Sequence, residues 1–205
     1  NYQSVNHVLK GVDPDIVVHL ASLSPVRDSF DRPFEYVQAN ILGTMNIAHN
    51  LLGLPDFKEK RLVYASTAEV YGIQKEQPIK ENTILNPSSP YANTKSMTDT
   101  YLRMMSYTYG LNTTILRCAN TYGRKLDTSF FVEYLITTMM KGERVYIGSP
   151  NSVRDYMYVD DHISAYIKAV EHPEIKGEAF NVGTGVGISN KELACNIVCL
   201  FTLSL

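Results

Sequence analysis

The stretch SPYANTKSMTDTYLRMMSYTYG, at residues 89–110, is the part of this sequence that decides the fold. Its pattern predicts a helix. Tyr91 and Lys95 stand four positions apart in it, and that spacing places both side chains on one helical face. A phenol and an ammonium side by side can take part in acid–base chemistry if other polar groups of the chain lie next to them.

An upstream run, RLVYASTAEVYG at 61–72, supplies the second part of the pattern. Its apolar section, 62–65, predicts a buried strand, and Ser66 and Thr67 fall at the C-terminal end of that strand. In an open parallel sheet, ligands bind beyond the carboxyl ends of the strands. We therefore expect a hydroxyl, a phenol and an ammonium to meet there, as in a dehydrogenase that acts on an alcohol or a carbonyl.

The chemistry explains these residue types. Oxidation of a secondary alcohol needs a base for the hydroxyl proton and an acceptor for the hydride. A free tyrosine has a pKa of about 10, and a neighbouring ammonium and a cationic nicotinamide ring would both lower it. The Tyr-x-x-x-Lys pattern is weak alone in a chain with 14 tyrosines, where an exposed Tyr–Lys pair is the alternative. The Ser66–Thr67 pair favours the catalytic interpretation.

Composition excludes several classes of function. The chain has 205 residues, of which 44% are hydrophobic and 20% charged, which is typical of a globular protein with a real core. The net charge of −2 gives nucleic-acid binding no electrostatic support. The cysteines, Cys118, Cys195 and Cys199, match no metal site and favour a reducing, cytoplasmic setting. We expect no membrane span, since the apolar stretch at 194–205 is too short and predicts a buried helix.

The predicted elements alternate along the chain. Strands are predicted at 15–20, 61–65, 112–116, 143–147, 153–158 and 179–182, and helices at 2–10, 33–52, 91–109, 129–140, 160–170 and after a capping Ser189. The first strand is expected to be buried on both faces. Alternation of this kind implies βαβ units and a parallel sheet, which is the α/β class.

Seven motifs occur in one order: HLAS at 19–22, VRDSFDRPFEYVQANILGT at 26–44, STAEVYG at 66–72, SPYANTK at 89–95, LRCANTYG at 116–123, VRDYMYVDD at 153–161 and FNVGTG at 180–185. Together they resemble the extended short-chain dehydrogenase/reductases, namely the NAD-dependent epimerase/dehydratase family that acts on nucleotide sugars. The resemblance implies a partial Rossmann-type parallel sheet with flanking helices, plus part of a small C-terminal substrate lobe.

The resemblance also implies roles for single residues. Tyr91 would be the catalytic base, Lys95 its partner on the nicotinamide ribose, and Thr67 the hydroxyl on the sugar. The implied cofactor-binding residues are Leu20, Ala21, Ser22, Asn40, Ala65, Tyr91, Lys95 and Cys118. The implied substrate-binding residues are Thr67, Asn120 and Arg154, with the arginine on the diphosphate, whose oxygens it can bind bidentately.

One part of the family pattern does not occur in this sequence. The Gly-rich turn that holds the pyrophosphate at a helix N-terminus is not present, and GTGVG at 183–187 follows a late strand and predicts a structural turn. We therefore expect a fragment of a longer protein that binds NAD poorly by itself. Residues 1–117 and 151–183 are predicted to form the NAD-binding domain, and 118–150 and 184–205 an incomplete substrate lobe.

The family's reactions share oxidation of the sugar at C4 to a 4-keto intermediate and then diverge. A 4,6-dehydratase needs another acid/base group, and Glu69 in STAEVYG is the candidate. Ala68 differs from the Asp of the dTDP-glucose type and the Ser of the GDP-mannose type, and Glu69 could instead be a solvated loop carboxylate. We favour a 4,6-dehydratase, with a 4-epimerase or a UDP-glucuronate decarboxylase as alternatives.

Two alternatives come from other classes of function: a non-catalytic Rossmann-like binding module, and an inactive fragment. The presence of Thr67, Tyr91 and Lys95 together argues against the first. The resemblance further implies that the full-length protein is a homodimer in which the Tyr91 helix contributes to a four-helix interface.

Overall fold

The computed structural model describes residues 1–123 and 127–203, with the side chains of 201–203 left aside. Two compact units share the chain: Asn1–Cys118 with Ser164–Val182, and Ala119–Ile163 with Gly183–Leu205. Residues 151–163 belong to the second unit, whereas we had placed them with the NAD-binding domain. Of the substrate lobe predicted from the sequence, 124–126 and 204–205 lie outside the described residues.

The first unit is a parallel sheet with helices packed against it. Its strands are β1 (Ile16–His19), β2 (Arg61–Thr67), β3 (Asn112–Cys118) and β6 (Glu178–Val182); its helices are α1 (Tyr2–Val12), α2 (Asp28–Asp31), α3 (Pro33–Tyr36), α4 (Gly43–Leu52), α5 (Pro90–Tyr109) and most of α7 (Val159–Glu171). The strand order is β1-β2-β3-β6, and every neighbouring pair is parallel. This confirms the α/β class and the Rossmann-type sheet.

The core of this unit lies between the sheet and three helices. Buried apolar side chains from β2, β3, α1, α4 and α5 form one cluster, which includes Leu9, Leu51, Leu62, Leu102 and Ile115. Every residue of β3 is buried, because the strand lies between β2 and β6 and carries helices on its faces.

β1 departs from its expected burial on both faces. Within the described sheet β1 pairs with β2 only, so it is an edge strand. Val18 is 41% exposed, although His19 beside it is buried.

The predicted helix at 33–52 is three segments in sequence. α3 and α4 are joined by a π-helical stretch, Val37–Leu42, which has Asn40 at its centre. A π segment widens the helix by one residue per turn and is frequent at functional sites. The Thr44 hydroxyl donates to the Asn40 carbonyl (2.6 Å) inside this widened turn.

Local signals at both ends set the limits of α5. The Ser89 hydroxyl accepts from the Ala92 amide (3.0 Å), and Pro90 occupies the first turn, where its missing N–H costs nothing. Gly110 ends the helix at φ 79°, a left-handed conformation that suits glycine. Because β2 and β3 are parallel, α5 returns the chain along the sheet, with its start at the C-terminal edge of β2.

The second unit contains β4 (Asn120–Tyr122), β5 (Val153–Tyr158), β7 (Gly187–Ser189), α6 (Phe131–Met140) and α8 (Asn190–Leu203). β5 pairs in parallel with β4 and antiparallel with β7. Because β5 pairs with β4 and β7, residues 151–163 belong to the second unit and not to the first. A separate apolar cluster, which includes Val132, Leu135, Ala194 and Ile197, joins α6 to α8.

Two expectations for this unit were wrong. Residues 143–147 form no strand: the Tyr146 amide donates to the Tyr134 hydroxyl (3.1 Å), and Val145 and Ile147 pack on the apolar cluster instead of pairing. α8 begins as predicted, with the Ser189 hydroxyl accepting from the Glu192 amide (3.1 Å), but it is not buried throughout. Leu200 is exposed, because α8 packs through one face.

Across residues 1–123 and 127–203, no helix has the length and apolarity needed to cross a membrane. The same residues contain no group of three or more His, Cys, Asp or Glu side chains placed to hold a metal ion.

Candidate functional site

Lys95 lies at the centre of the candidate site. It is 2% exposed, its Nζ donates to the Ala65 carbonyl (2.7 Å) and it stands 4.9 Å from the centroid of the Tyr64 ring. Burial lowers the pKa of Lys95 to about 8, because removal from water disfavours the ammonium. The lysine therefore ties α5 to the last part of β2, where Ala65 is only half buried.

Tyr91 lies on the same face, one turn earlier, and is 8% exposed. Burial raises the pKa of the Tyr91 phenol above its usual range; a bond with the Thr67 hydroxyl opposes the shift, and the Glu69 carboxylate adds to it. We had expected Lys95 to lower this pKa, but in the chain alone desolvation of the phenol dominates. The ring of Tyr36 packs edge-on against that of Tyr91, with centroids 6.4 Å apart.

Thr67 and Glu69 approach Tyr91 from the end of β2. The Thr67 hydroxyl accepts from the Glu69 amide (3.3 Å) and caps a short 3₁₀ helix, Ala68–Tyr71. Thr67 is buried and Glu69 half buried. α5 packs against β2 and against the 3₁₀ helix that follows it, so the structure brings Thr67, Glu69, Tyr91 and Lys95 to one edge of the sheet.

The predicted cofactor-facing residues divide into two groups. After β1, Leu20 and Ala21 are exposed and Ser22 is half buried, so this backbone is accessible. Asn40, in contrast, is completely buried.

The side chain of Asn40 is used by the protein itself. Its Oδ1 accepts from the Leu23 amide (2.8 Å), and its Nδ2 donates to the Leu23 carbonyl and to the Thr94 hydroxyl (both 3.0 Å). Thr94 lies between Tyr91 and Lys95 and donates to the Tyr91 carbonyl (2.8 Å). The Asn40 side chain therefore fastens the loop after β1 to α5.

Cys118 ends β3 beside the same residues. Its thiol is buried, 3.5 Å from the Leu116 carbonyl and 3.6 Å from the Tyr166 hydroxyl. Burial raises the pKa of the Cys118 thiol to about 11, so it is protonated near neutral pH. It contributes a neutral, apolar wall near Tyr91 and Lys95.

Sequence reasoning missed one constellation in the first unit. Asp99 and Arg117 form a completely buried ion pair, with Arg117 Nε 2.8 Å from Asp99 Oδ2. The signal was available, because Asp99 continues the four-residue spacing of Tyr91 and Lys95 along α5. His19 is a packed core histidine: it is buried, with Nε2 2.8 Å from the Thr44 hydroxyl.

The predicted substrate-binding residues Asn120 and Arg154 belong to the second unit. Both are exposed, on β4 and β5, and Arg154 Nη1 donates to the Val153 carbonyl (2.9 Å). Next to Arg154, the Asp155 carboxylate accepts from the amides of Thr184 and Gly185 (3.1 and 2.8 Å). The amides of the glycine-rich turn at 183–187 are thus bonded to a carboxylate of the protein itself, which supports the interpretation of this turn as structural.

Comparison with known proteins shows the family to which this chain belongs. The sequence model of the family described as GDP-mannose 4,6 dehydratase matches residues 1–201, almost the whole chain. The chain belongs to this family. It is 33% identical to a UDP-glucose 4-epimerase of Lactobacillus helveticus, over 92% of this chain and 62% of the relative. It is 32% identical to a dTDP-D-glucose 4,6-dehydratase of Dictyostelium discoideum, over 90% of this chain and 44% of the relative.

Solved structures of the family share the fold. The UDP-glucose 4-epimerase of Thermotoga maritima, solved with UDP-glucose, superposes with a TM-score of 0.92 at 31% identity, covering 98% of this chain and 66% of that one. Other matched structures were solved with NAD or NADPH. This chain thus spans 44% to 66% of the length of the three relatives named.

Proposed function

We propose that the protein oxidises C4 of a nucleoside-diphosphate sugar with NAD, giving a 4-keto intermediate. The observation that carries the proposal is the position of Thr67 at the end of β2, with Glu69 just after it and the Tyr91–Lys95 helix packed against both segments. This set can bind and deprotonate a secondary alcohol. The exposed backbone of Leu20 and Ala21 suits a dinucleotide, and NAD is preferred over NADP by family resemblance.

Each side chain has a separate task in this mechanism. The Thr67 hydroxyl orients the sugar oxygen by a hydrogen bond, and Tyr91 takes the proton from that oxygen. Bound NAD would accept the hydride. The Lys95 ammonium favours the phenolate, and Cys118 and Tyr36 help keep water away from it. Tyr91 must be the phenolate to take that proton, and because burial raises its pKa, the positive charges of Lys95 and of bound NAD would have to favour its ionisation.

Glu69 supports dehydration as the second stage. Removal of the C5 proton and loss of water from C6 need an acid/base group, and this half-buried carboxylate lies close enough to Tyr91 to shift its pKa. A 4-epimerase is the second candidate, favoured by the similarity to the enzymes of Lactobacillus helveticus and Thermotoga maritima. A decarboxylase remains the third.

Binding and assembly complete the proposal. Asn120 and Arg154 would bind the diphosphate, since both side chains are exposed on neighbouring strands. A homodimer would use α5 and the 33–52 helical segment, where Phe34 and Met97 are exposed apolar groups. A cytoplasmic location fits the three cysteines, Cys118, Cys195 and Cys199, whose odd number and spacing match no disulfide framework.

The deciding experiment uses the protein expressed together with any coding sequence that flanks residues 1 and 205. It is incubated with NAD and a panel of nucleotide sugars, and product masses are recorded. Loss of one water identifies a 4,6-dehydratase, unchanged mass with a new sugar a 4-epimerase, and loss of CO2 from a uronic acid a decarboxylase. No product with any sugar would contradict the proposal and favour a binding module.

The Glu69→Gln variant then tests the carboxylate. In a dehydratase it should stop loss of water while C4 oxidation continues, whereas in an epimerase it should change little. Glu76→Gln, an exposed carboxylate in the following loop, is the matched control. Residues 1–205 alone should bind NAD poorly by calorimetry, because the sequence holds no Gly-rich phosphate turn.

A further inference from the structure

A buried polar network lies behind the candidate catalytic residues in the first unit. Arg117, on β3, forms a two-point ion pair with Asp99 on α5, through Nε and Oδ2 (2.8 Å) and through Nη2 and Oδ1 (2.9 Å). Asp99 Oδ2 also accepts from the Ser66 hydroxyl (3.2 Å). Asp99 and Arg117 are completely buried and Ser66 nearly so. An ion pair in such a place is costly to desolvate and is a weak means of stabilisation by itself.

The same arginine reaches a third element. Its Nη1 donates to the Tyr71 hydroxyl (2.7 Å) and to the Glu81 carbonyl (2.8 Å). The Tyr71 hydroxyl in turn donates to Asn181 Oδ1 on β6 (2.7 Å). Tyr71 closes the 3₁₀ helix that carries Glu69, so one guanidinium contacts both the catalytic helix and the segment that follows Thr67.

The contacts made by Asn181 extend the network into the loop after the 3₁₀ helix. Its Nδ2 donates to the Ile79 carbonyl (2.9 Å), and its amide donates to Glu81 Oε1 (3.0 Å). The loop at 72–88 has no α-helix or strand of its own. Bonds from β6 and Arg117 therefore give this loop contacts that regular structure does not supply.

We propose that Asp99, Arg117 and Tyr71 are positioning residues that set the Glu69 segment and the Tyr91–Lys95 helix at a fixed distance from each other. Tyr91, Lys95 and Asp99 follow one another at intervals of four on one face of α5, so a shift at Asp99 moves the base with it. Ser66 precedes Thr67 directly, so the same carboxylate also holds the strand end. The effect of these residues on catalysis rests on the proposed function, whereas their role in holding the two segments together does not.

The relative positions of these segments should affect the reaction rate as well as the stability of the fold. Misplacement of a reacting group by about 1 Å can cost on the order of 100-fold in rate. The carboxylate, the phenol and the threonine hydroxyl come from different elements, and Arg117 with its partners is the group of bonds that joins those elements behind the site.

Tyr71→Phe is the sharpest test, because it removes one hydroxyl and leaves the Asp99–Arg117 pair in place. Its matched control is Tyr101→Phe. Tyr101 also lies on α5, but its hydroxyl bonds to His49 and is not part of the network. Amide hydrogen exchange of peptides from 68–81 needs no cofactor or substrate. We expect exchange there to speed up by about tenfold in Tyr71→Phe and to match wild type in Tyr101→Phe.

Turnover supplies the second readout. Tyr71→Phe should lower kcat by about tenfold with KM within about twofold, because substrate contacts stay while alignment is lost. Arg117→Lys should do the same or more, since lysine cannot reproduce the two-point contact. Arg61→Lys is its control: an equally buried arginine of β2 that donates to carbonyls of Ala169, Val170 and His172.

The outcomes separate the two proposals. Unchanged exchange at 68–81 in Tyr71→Phe would overturn the positioning role whether or not the protein turns over a sugar. Equal kcat in Arg117→Lys and Arg61→Lys would also overturn it, because the pair would then act on stability alone. If exchange at 68–81 is faster in Tyr71→Phe than in wild type, while the wild-type protein turns over no sugar, the result would support the positioning role and count only against the proposed function.

Discussion

The two ends of the four-stranded sheet each bury an arginine, and the two arginines have different partners. At the N-terminal end of β2, Arg61 donates to three backbone carbonyls at the end of α7. Near the C-terminal end of β3, Arg117 contacts the side chains of Asp99 and Tyr71. The first neutralises the negative end of a helix dipole, which is a structural task. The second joins elements that carry candidate catalytic groups, so the partners, not burial itself, distinguish the ends.

The largest expected effect is a loss of activity on substitution of Tyr91, which lies at the C-terminal end of the sheet. Tyr91→Phe should lower kcat by about a thousandfold, since phenylalanine cannot take the substrate proton. Stability should change by less than about 1 kcal/mol, because the ring and its contact with Tyr36 remain. The matched control is Tyr107→Phe, whose ring is 95% exposed near the far end of the same helix. Near-normal turnover of Tyr91→Phe would end the functional distinction between the two ends.

Arg61→Met tests the opposite end. It should lower the free energy of unfolding by about 3 kcal/mol, because the carbonyls of Ala169, Val170 and His172 lose a charged donor and that of Ala169 is buried. Turnover per folded molecule should stay within about twofold of wild type, measured well below the unfolding midpoint. Urea titration gives the first quantity and steady-state kinetics the second. A tenfold loss of kcat in the folded variant would show that the N-terminal end also controls the site.

His19 gives the C-terminal end a pH dependence. Burial, and next the charge of Lys95, lower the pKa of His19 to about 4. The folded state thus holds fewer protons than the unfolded state between about pH 4 and 6.5, so stability falls as pH falls through this window. Between about pH 8 and pH 5 the expected loss is about 2 kcal/mol. Urea titrations of wild type and His19→Gln should differ in slope there, and identical slopes would refute the assignment.

The smallest effects compare the two ends of α5. Ser89→Ala removes the cap next to Tyr91, and Gly110→Ala forces a side chain into φ 79°; each should cost about 1 kcal/mol. Only Ser89→Ala should also lower kcat, by about threefold, because the first turn of the helix carries the base. Thermal unfolding and kinetics on both variants check this. Equal kcat values would mean that fraying at Ser89 does not reach Tyr91.

The sequence predicted most where one local pattern sufficed. The limits of α5 follow from Ser89, Pro90 and Gly110, and the strand-end position of Thr67 follows from the apolar run before it. The prediction failed at 143–147, where alternating apolar residues pack on a cluster and find no strand to pair with. The hydrogen bonds of Asn40 could not be predicted either, because its partners Leu23 and Thr94 are distant from it along the chain.

The sequence by itself therefore determined the class of fold, the family and the side chains that could react, because these depend on short-range periodicity and on motifs within single elements. Tertiary structure decided how those side chains are held. Lys95 lies on Ala65 and Tyr64, the pKa of Tyr91 is raised, and Asp99 meets Arg117, because burial and pairing depend on elements that only the folded sheet brings together.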